Sequence, residues 1–197
     1  MQTVILAGGL GTRLAEETSI RPQPMGEIGG RPIPHPIRDL YDAHGFNEFG
    51  LALGYRGPMI KRYVMDGSAL SGNVSVNLAD GRVTRDGAPN RNWKVSLIET
   101  GRATETGGRL KRCAPSLRRE TFMLTYGDGL ADIDVGALLR FHRENGKLVT
   151  VTGVRPPSRF GEMHVTGNVV TSFTEKPQVS EGQVNGGFFV CQRAFLD

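Results

Sequence analysis

At 197 residues, 38% of them hydrophobic, the chain has enough apolar material for one sizeable core and too little for two. Lys and Arg outnumber Asp and Glu by 24 to 20, and this small excess is scattered along the sequence, which argues against a nucleic-acid surface and suits anionic small molecules. Two distant cysteines, Cys113 and Cys191, offer neither a disulfide framework nor metal-ligand spacing, no apolar stretch approaches the roughly 18 residues of a membrane span, and no leader pattern precedes the first strand, so the sequence reads as a cytoplasmic protein with no membrane partner.

Val4 to Ala7 form a short apolar run that predicts a buried parallel strand, and it leads directly into Gly8, Gly9, Gly11, Thr12 and Arg13. Glycines at such a point let consecutive N–H groups converge on phosphate oxygens, while Thr12 and Arg13 add a hydroxyl and a planar cation. The loop is not a Walker A, which needs Gly-Lys-Ser/Thr. Neither is it the dinucleotide pattern G-x-G-x-x-G, because Leu14 stands at the third glycine, and this argues against a dinucleotide-binding oxidoreductase. A plain glycine-rich turn with a solvated Arg13 has the same spacing.

Pro22 and Pro24 make residues 16–24 an extended segment rather than a helix. Ile37 to His44 predicts a helix stopped by Gly45, with Pro34 and Pro36 in or before its first turn. Phe49 to Gly54 then predicts a second parallel strand and Pro58 to Met65 a helix with proline near its first position, an order typical of an open parallel sheet. Asn73 to Leu78 and Trp93 to Glu99 alternate with period two. They predict a pair of strands joined by a long polar connection, Ala79 to Asn92, with Val74, Val76, Leu78 and Trp93 in the core.

Thr104 to Arg112 runs into a helix past Gly107 and Gly108, a start suited to an anion, with Lys111 and Arg112 on a solvated basic face. Thr121 to Thr125 predicts a strand followed by Gly127-Asp128-Gly129. That triplet is either a common turn or a carboxylate at the ligand end of a parallel strand, and a lone Asp there suits Mg2+ on a nucleotide. Val135 to Asn145 predicts a helix closed by Gly146, Leu148 to Val154 a β-branched strand, Thr166-Gly167-Asn168 a hairpin turn, and Val184 to Val190 a last strand.

The stretch from Leu6 through Gly8-Gly9-Leu10-Gly11-Thr12-Arg13-Leu14, followed by Pro22-Gln23-Pro24-Met25 and Gly29-Gly30-Arg31-Pro32-Ile33, resembles the signature of the sugar-1-phosphate nucleotidylyltransferases. So do Gly54-Tyr55-Arg56-Gly57, Gly107-Gly108-Arg109, Tyr126-Gly127-Asp128-Gly129, Arg159-Phe160-Gly161, Glu175-Lys176-Pro177 and Asn185-Gly186-Gly187-Phe188, in order and spacing. Within that family the chain is similar to the branch that uses CTP and glucose 1-phosphate. The resemblance implies an α/β fold, a Rossmann-like mostly parallel sheet flanked by helices. It also implies a single domain over residues 1–197, with a nucleotide-binding half at 1–130 and a sugar-phosphate half at 131–197.

By the same resemblance Leu6, Ala7, Gly8, Gly9, Leu10, Gly11, Thr12 and Arg13 hold the triphosphate, and Thr104 and Arg109 contact the nucleotide. Asp128 binds nucleotide and Mg2+, and Gly161, Glu175, Lys176 and Asn185 hold the sugar phosphate. Arg13, Gln23 and Asp128 occupy the catalytic positions. Gln23 departs from the pattern, which has a lysine there; an amide hydrogen-bonds phosphate but carries no charge, a loss of about 2–4 kcal/mol of transition-state stabilisation that Arg21 is placed to offset in part. Family members also continue beyond the position of Asp197 with a helix, a strand and a second acidic metal ligand. The expectation is therefore a metal held by Asp128 with water and phosphate, and an unprotected sheet edge that favours a homo-oligomer. Two readings stand: a weakened nucleotidyltransferase, or a module that binds nucleotide and sugar phosphate without turnover.

Overall fold

The computed structural model describes residues 1–9, 25–28, 31–87, 91–156, 162–174 and 182–197. The chain begins with strand β1 (Gln2–Leu6), followed by the two-residue strands β2 (Glu27–Ile28) and β3 (Arg31–Pro32), helix α1 (Pro34–Asp42), β4 (Glu48–Leu53) and α2 (Gly57–Ala69). A hairpin of β5 (Asn73–Val76) and β6 (Val83–Asp86) precedes β7 (Lys94–Glu99), α3 (Thr106–Cys113), β8 (Thr121–Tyr126), α4 (Val135–Asn145) and β9 (Val149–Val154). The hairpin β10 (Glu162–Thr166) and β11 (Val169–Thr174) and the strand β12 (Val184–Gln192) complete it.

One sheet has the order β7-β4-β1-β8-β12-β9. β1 runs parallel to β4 and β8, β4 parallel to β7, and β12 antiparallel to both of its neighbours, so the sheet is mostly parallel with one reversed strand. β1 lies inside the sheet and is buried on both faces, as an apolar run in a parallel sheet requires. Ile5 packs with Ile37 and Tyr41 of α1, Leu51 of β4, and Val135 and Leu139 of α4. Val4, on the other face, packs with Leu110 and Cys113 of α3, Phe122 of β8 and Cys191 of β12. Each such side chain contributes roughly 1.5–3 kcal/mol by leaving water. Helices thus cover both faces, and their packing fixes the sheet whose carboxyl ends carry the site.

Local signals explain the helices. Pro34 and Pro36 sit in the first turn of α1, where a missing N–H is not required. Asp134 caps α4 by accepting from the Ala137 N–H at 2.8 Å, and Gly146, at φ 59°, ends it in the left-handed conformation. Both cysteines are free and buried. Among the described residues no helix is long and apolar enough to cross a membrane.

One expectation fails. β5 does not pair with β7; the connection between them folds back as β6, which pairs with β5, while β7 joins β4 in parallel with Phe49 opposite Val95. Val74, Val76 and Leu78 are consequently 36%, 52% and 92% exposed instead of buried. Period-two alternation identifies a strand but says nothing of its partner, and only β7 has a neighbour whose apolar face continues the core. Trp93, just before β7, does pack: the Arg38 and Arg91 guanidiniums lie 4.6 and 5.2 Å from its ring, and Arg91 pairs with Asp39 at 2.9 Å.

Candidate active site

Backbone hydrogen bonds stitch the segment after β1 between the turns that follow β4 and β8. The Ala7 N–H donates to Ala52 O at 3.1 Å, the Tyr55 N–H to Gly8 O at 3.2 Å and the Gly127 N–H to Leu6 O at 2.9 Å. A Cβ at position 127 would stand 2.7 Å from Leu6 O, so this approach requires the glycine.

Arg109 of α3 lies against the same place and is 5% exposed. Its Nη1 donates to Gly101 O at 2.7 Å, Thr100 Oγ1 at 2.9 Å and Leu53 O at 3.3 Å, and its Nη2 donates to Arg102 O at 3.1 Å. A Cβ on either Gly8 or Gly54 would overlap the guanidinium, so two glycines from different loops make room for one cation. Burial draws the Arg109 pKa down from its ordinary value, with Glu105 opposing and Arg112 adding to the shift, yet a guanidinium stays charged at any relevant pH. One turn further along α3, Arg112 Nη1 donates to Thr100 O and to Thr104 Oγ1, both at 2.6 Å. Gly101, at φ 85°, leaves the space that this guanidinium enters.

Two further arginines flank Tyr55. Arg56 takes a left-handed φ of 54°, the one non-glycine residue among those described to do so, and its Nε donates to Tyr55 Oη at 3.0 Å. The Arg102 guanidinium lies 5.4 Å from the same ring. Backbone strain of this kind collects at functional sites.

Asp128 follows β8 between Gly127 and Gly129 and is exposed. Two residues earlier, Tyr126 Oη accepts from Asn185 Nδ2 at 3.2 Å, and Asn185 Oδ1 accepts from the Gly187 N–H at 2.8 Å. The Tyr126 ring meets Phe189 edge-on at 5.9 Å, and a Cβ at Gly187, φ 86°, would come within 2.9 Å of it. The reversed strand β12 thereby brings Asn185 to the neighbourhood of Asp128. Mg2+ is commonly held by one or two carboxylates with phosphate and water filling its octahedron, and Asp128 is a hard oxygen donor that fits this. Among the described residues no three His, Cys, Asp or Glu side chains converge as a ready-made cage.

Leu6, Ala7, Gly8, Gly9, Thr104, Arg109, Asp128 and Asn185 thus lie at one end of the sheet, past the carboxyl ends of β1, β7 and β8 and beside the start of β12. Leu10, Gly11, Thr12, Arg13, Gln23, Gly161, Glu175 and Lys176 lie outside the described residues. Arg112 is exposed, as the solvated basic face expected, but its bonds to Thr100 and Thr104 were not foreseen, and neither was the bond of Tyr126, read only as the lead-in to Asp128. The glycine at 101 was a usable signal, since it stands where a side chain from α3 comes in against backbone.

The nucleotidyl transferase family matches residues 2–197 of the chain. The chain belongs to that family. This member is 43% identical over 198 residues to the glucose-1-phosphate cytidylyltransferase of Salmonella typhimurium, an alignment that covers 100% of this chain and 77% of the relative. It is 27% identical over 199 residues to the D-glycero-alpha-D-manno-heptose 1-phosphate guanylyltransferase of Aneurinibacillus thermoaerophilus, with the same shares covered. HddC from Yersinia pseudotuberculosis, whose crystal structure is a complex with GMP-PN, superposes with a TM-score of 0.69 over 99% of this chain and 78% of its own at 24% identity, and so shares the fold. The family membership and the mostly parallel sheet expected from the motifs are thereby borne out.

Proposed function

We propose that this family member transfers a cytidylyl group from CTP to glucose 1-phosphate, giving CDP-glucose and pyrophosphate. The observation that carries the reading is the placement of the Gly8 segment and Asp128 just past the carboxyl ends of β1 and β8, with Arg109 of α3 and Asn185 at the start of the reversed β12 beside them, the end at which open α/β sheets bind ligands. The identity to the Salmonella enzyme supports the choice of base and sugar. A phosphate oxygen of glucose 1-phosphate forms a bond to the α-phosphorus of CTP, the bond to the β-phosphate oxygen breaks, and pyrophosphate leaves with the electron pair. Such a reaction needs positioning and charge stabilisation, not a covalent nucleophile.

In this reading the segment from Leu6 to Arg13 cradles the triphosphate, and Arg13 stabilises charge on the departing phosphates. Thr104 and Arg109 face the nucleoside, and Gln23 meets the transferring phosphate through its amide. Gly161, Glu175, Lys176 and Asn185 hold the sugar phosphate. Asp128 would hold Mg2+, which when bound supplies charge neutralisation on phosphate oxygens. Residues 1–130 form the nucleotide-binding half and 131–197 the sugar-phosphate half; the bond between Asn185 and Tyr126 joins the halves beside Asp128.

Gln23 favours a second reading, retention of both ligands without turnover. Pyrophosphate release from protein given glucose 1-phosphate, Mg2+ and each of the four nucleoside triphosphates separates the two. Release with CTP alone is expected; no release from protein that still binds CTP favours the binding module, and release with another triphosphate overturns the cytidylyl assignment.

A further inference from the structure

Strands β1, β4 and β7 set Gln2, Glu48 and Lys94 side by side at their amino ends, since Gln2 stands opposite Glu48 and Glu48 opposite Lys94 in parallel register. Facing positions share one face of the sheet, and Ser96, two residues on from Lys94, returns to that face. The Gln2 side chain holds the turn after α3 against this row. Its Nε2 donates to Ser116 O at 3.0 Å, and its Oε1 accepts from the Arg118 N–H at 2.6 Å. Between row and turn lies a cavity of about 200 Å³ whose lining includes Gln2, Glu48, Lys94, Ser96, Ser116 and Arg118. It lies at the opposite end of the sheet from Gly8 and Asp128, about 20 Å away by the rise of the six residues of β4.

Glu48, Lys94 and Arg118 bring three charges to this cavity, yet among the described residues none of the three forms an ion pair. Opposite charges on facing positions of neighbouring strands ordinarily pair; here one carboxylate and two cations stand around a space instead. The two cations match a dianion, Lys94 as a point charge and Arg118 with a fork that engages two oxygens. The Ser96 and Ser116 hydroxyls supply donors for the remaining oxygens, whereas an ionised Glu48 only accepts and so requires a donor from the ligand. The volume admits about seven waters at about 30 Å³ each, below the roughly 300–1,000 Å³ of pockets for drug-sized ligands, so a nucleotide is too large. We propose that this cavity is a second binding site, for a small phosphomonoester whose tail bears a hydroxyl or ammonium donor. Its phosphate sits between Lys94 and Arg118, and the tail donates to Glu48. A phosphomonoester carries close to two negative charges at neutral pH, which the two cations balance. Sulfate has no proton to give and leaves Glu48 unanswered. The site shares no residue with the nucleotide reading and does not depend on it.

Amide-resolved NMR titration of the full chain with glycerol 3-phosphate, O-phosphoethanolamine and sulfate tests this. Saturable shifts are expected at Gln2, Ser96, Ser116 and Arg118 with a phosphomonoester, and the tighter of the two tells whether hydroxyl or ammonium is the preferred donor. Lys94→Met and Arg118→Met should each weaken that ligand about ten-fold, the loss of one charge-assisted hydrogen bond. Both side chains are exposed, so both variants are expected to fold. Glu48→Gln separates a built site from a merely basic patch. It should weaken the phosphomonoester and strengthen sulfate, whereas a basic patch relieved of a negative charge would bind both more tightly. Shifts confined to the catalytic end, no saturable binding, or phosphomonoester binding that Glu48→Gln strengthens overturns the inference. Equal affinity of the wild type for sulfate, which would mark an adventitious ion only, overturns it as well.

Discussion

Replacing Arg109 by Met keeps much of the apolar stem and removes the guanidinium that joins β4, the loop after β7 and α3. Four acceptors lose a donor, but not equally. Leu53 O still receives the Thr100 hydroxyl at 2.5 Å, and Thr100 Oγ1 keeps its own proton for that bond, so neither is orphaned. Gly101 O and Arg102 O, held at 2.7 and 3.1 Å, have no other side-chain donor among the described residues. A buried acceptor left unmade costs about 1–3 kcal/mol; with both carbonyls only partly buried, the lower part of that range gives about 2–4 kcal/mol for the pair. For a chain of this size that is a fall of roughly 4–16 °C in Tm, or a large fraction of a typical stability of about 5–15 kcal/mol. Denaturant unfolding of Arg109→Met against wild type reads it directly, with the m-value checked for constancy. A loss below about 0.5 kcal/mol would refute the reasoning, because it would mean that the carbonyls find water without penalty and that Arg109 is not a structural tie.

Other outcomes follow from the same geometry. His142 is fully buried, with Nδ1 2.8 Å from Thr150 Oγ1 and Nε2 2.9 Å from Gln192 Nε2, and burial, helped by Arg143, holds its pKa below the ordinary 6.5. The unfolded chain therefore takes the proton first as pH falls, and stability present above about pH 6.5 should be lost on acidification; the wild-type Tm should drop more between about pH 7.5 and about pH 5.5 than that of His142→Gln. Burial pushes the Cys113 thiol up to about 11 and the Cys191 thiol up to about 12, so a thiol reagent at mildly alkaline pH should modify neither cysteine in native protein and both in denaturant. Gly146→Ala forces a Cβ into the left-handed φ of 59° and should cost about 1 kcal/mol in urea unfolding without changing ligand affinity. Restoring charge by Gln23→Lys should raise kcat for pyrophosphate release by about 10²-fold, with little change in CTP affinity.

What the sequence disclosed and what it withheld divide along physical lines. The Val4 to Ala7 run, the Gly146 stop and the Thr166-Gly167-Asn168 turn are local signals, and each appears in the structure close to where it was expected. The place of Asp128 just past a strand was legible for a similar reason, but its triplet is also a common turn, and only the resemblance pointed to a metal. Pairing was not local. β6 carries a single apolar residue, Val83, among charged and hydroxylic ones, so nothing in its own pattern marked it as the partner of β5. Arg112 does meet solvent, as a basic residue near a helix end usually does; its bonds to Thr100 O and Thr104 Oγ1 were hidden because they depend on how the loop after β7 lies against α3. Tyr126 and Asn185 are 59 residues apart, and their bond depends on the antiparallel register of β8 with β12.

In the proposed reading, the end of the sheet holding Gly8, Arg109, Asp128 and Asn185 performs cytidylyl transfer. Phosphorus NMR of protein mixed with CTP, glucose 1-phosphate and Mg2+ tests it directly. Matched growth of a nucleotide-sugar diphosphate and of pyrophosphate, one for one, is expected in wild-type protein and neither in Asp128→Asn. Absence of the diphosphate in the wild type, or its undiminished formation in Asp128→Asn, would contradict it.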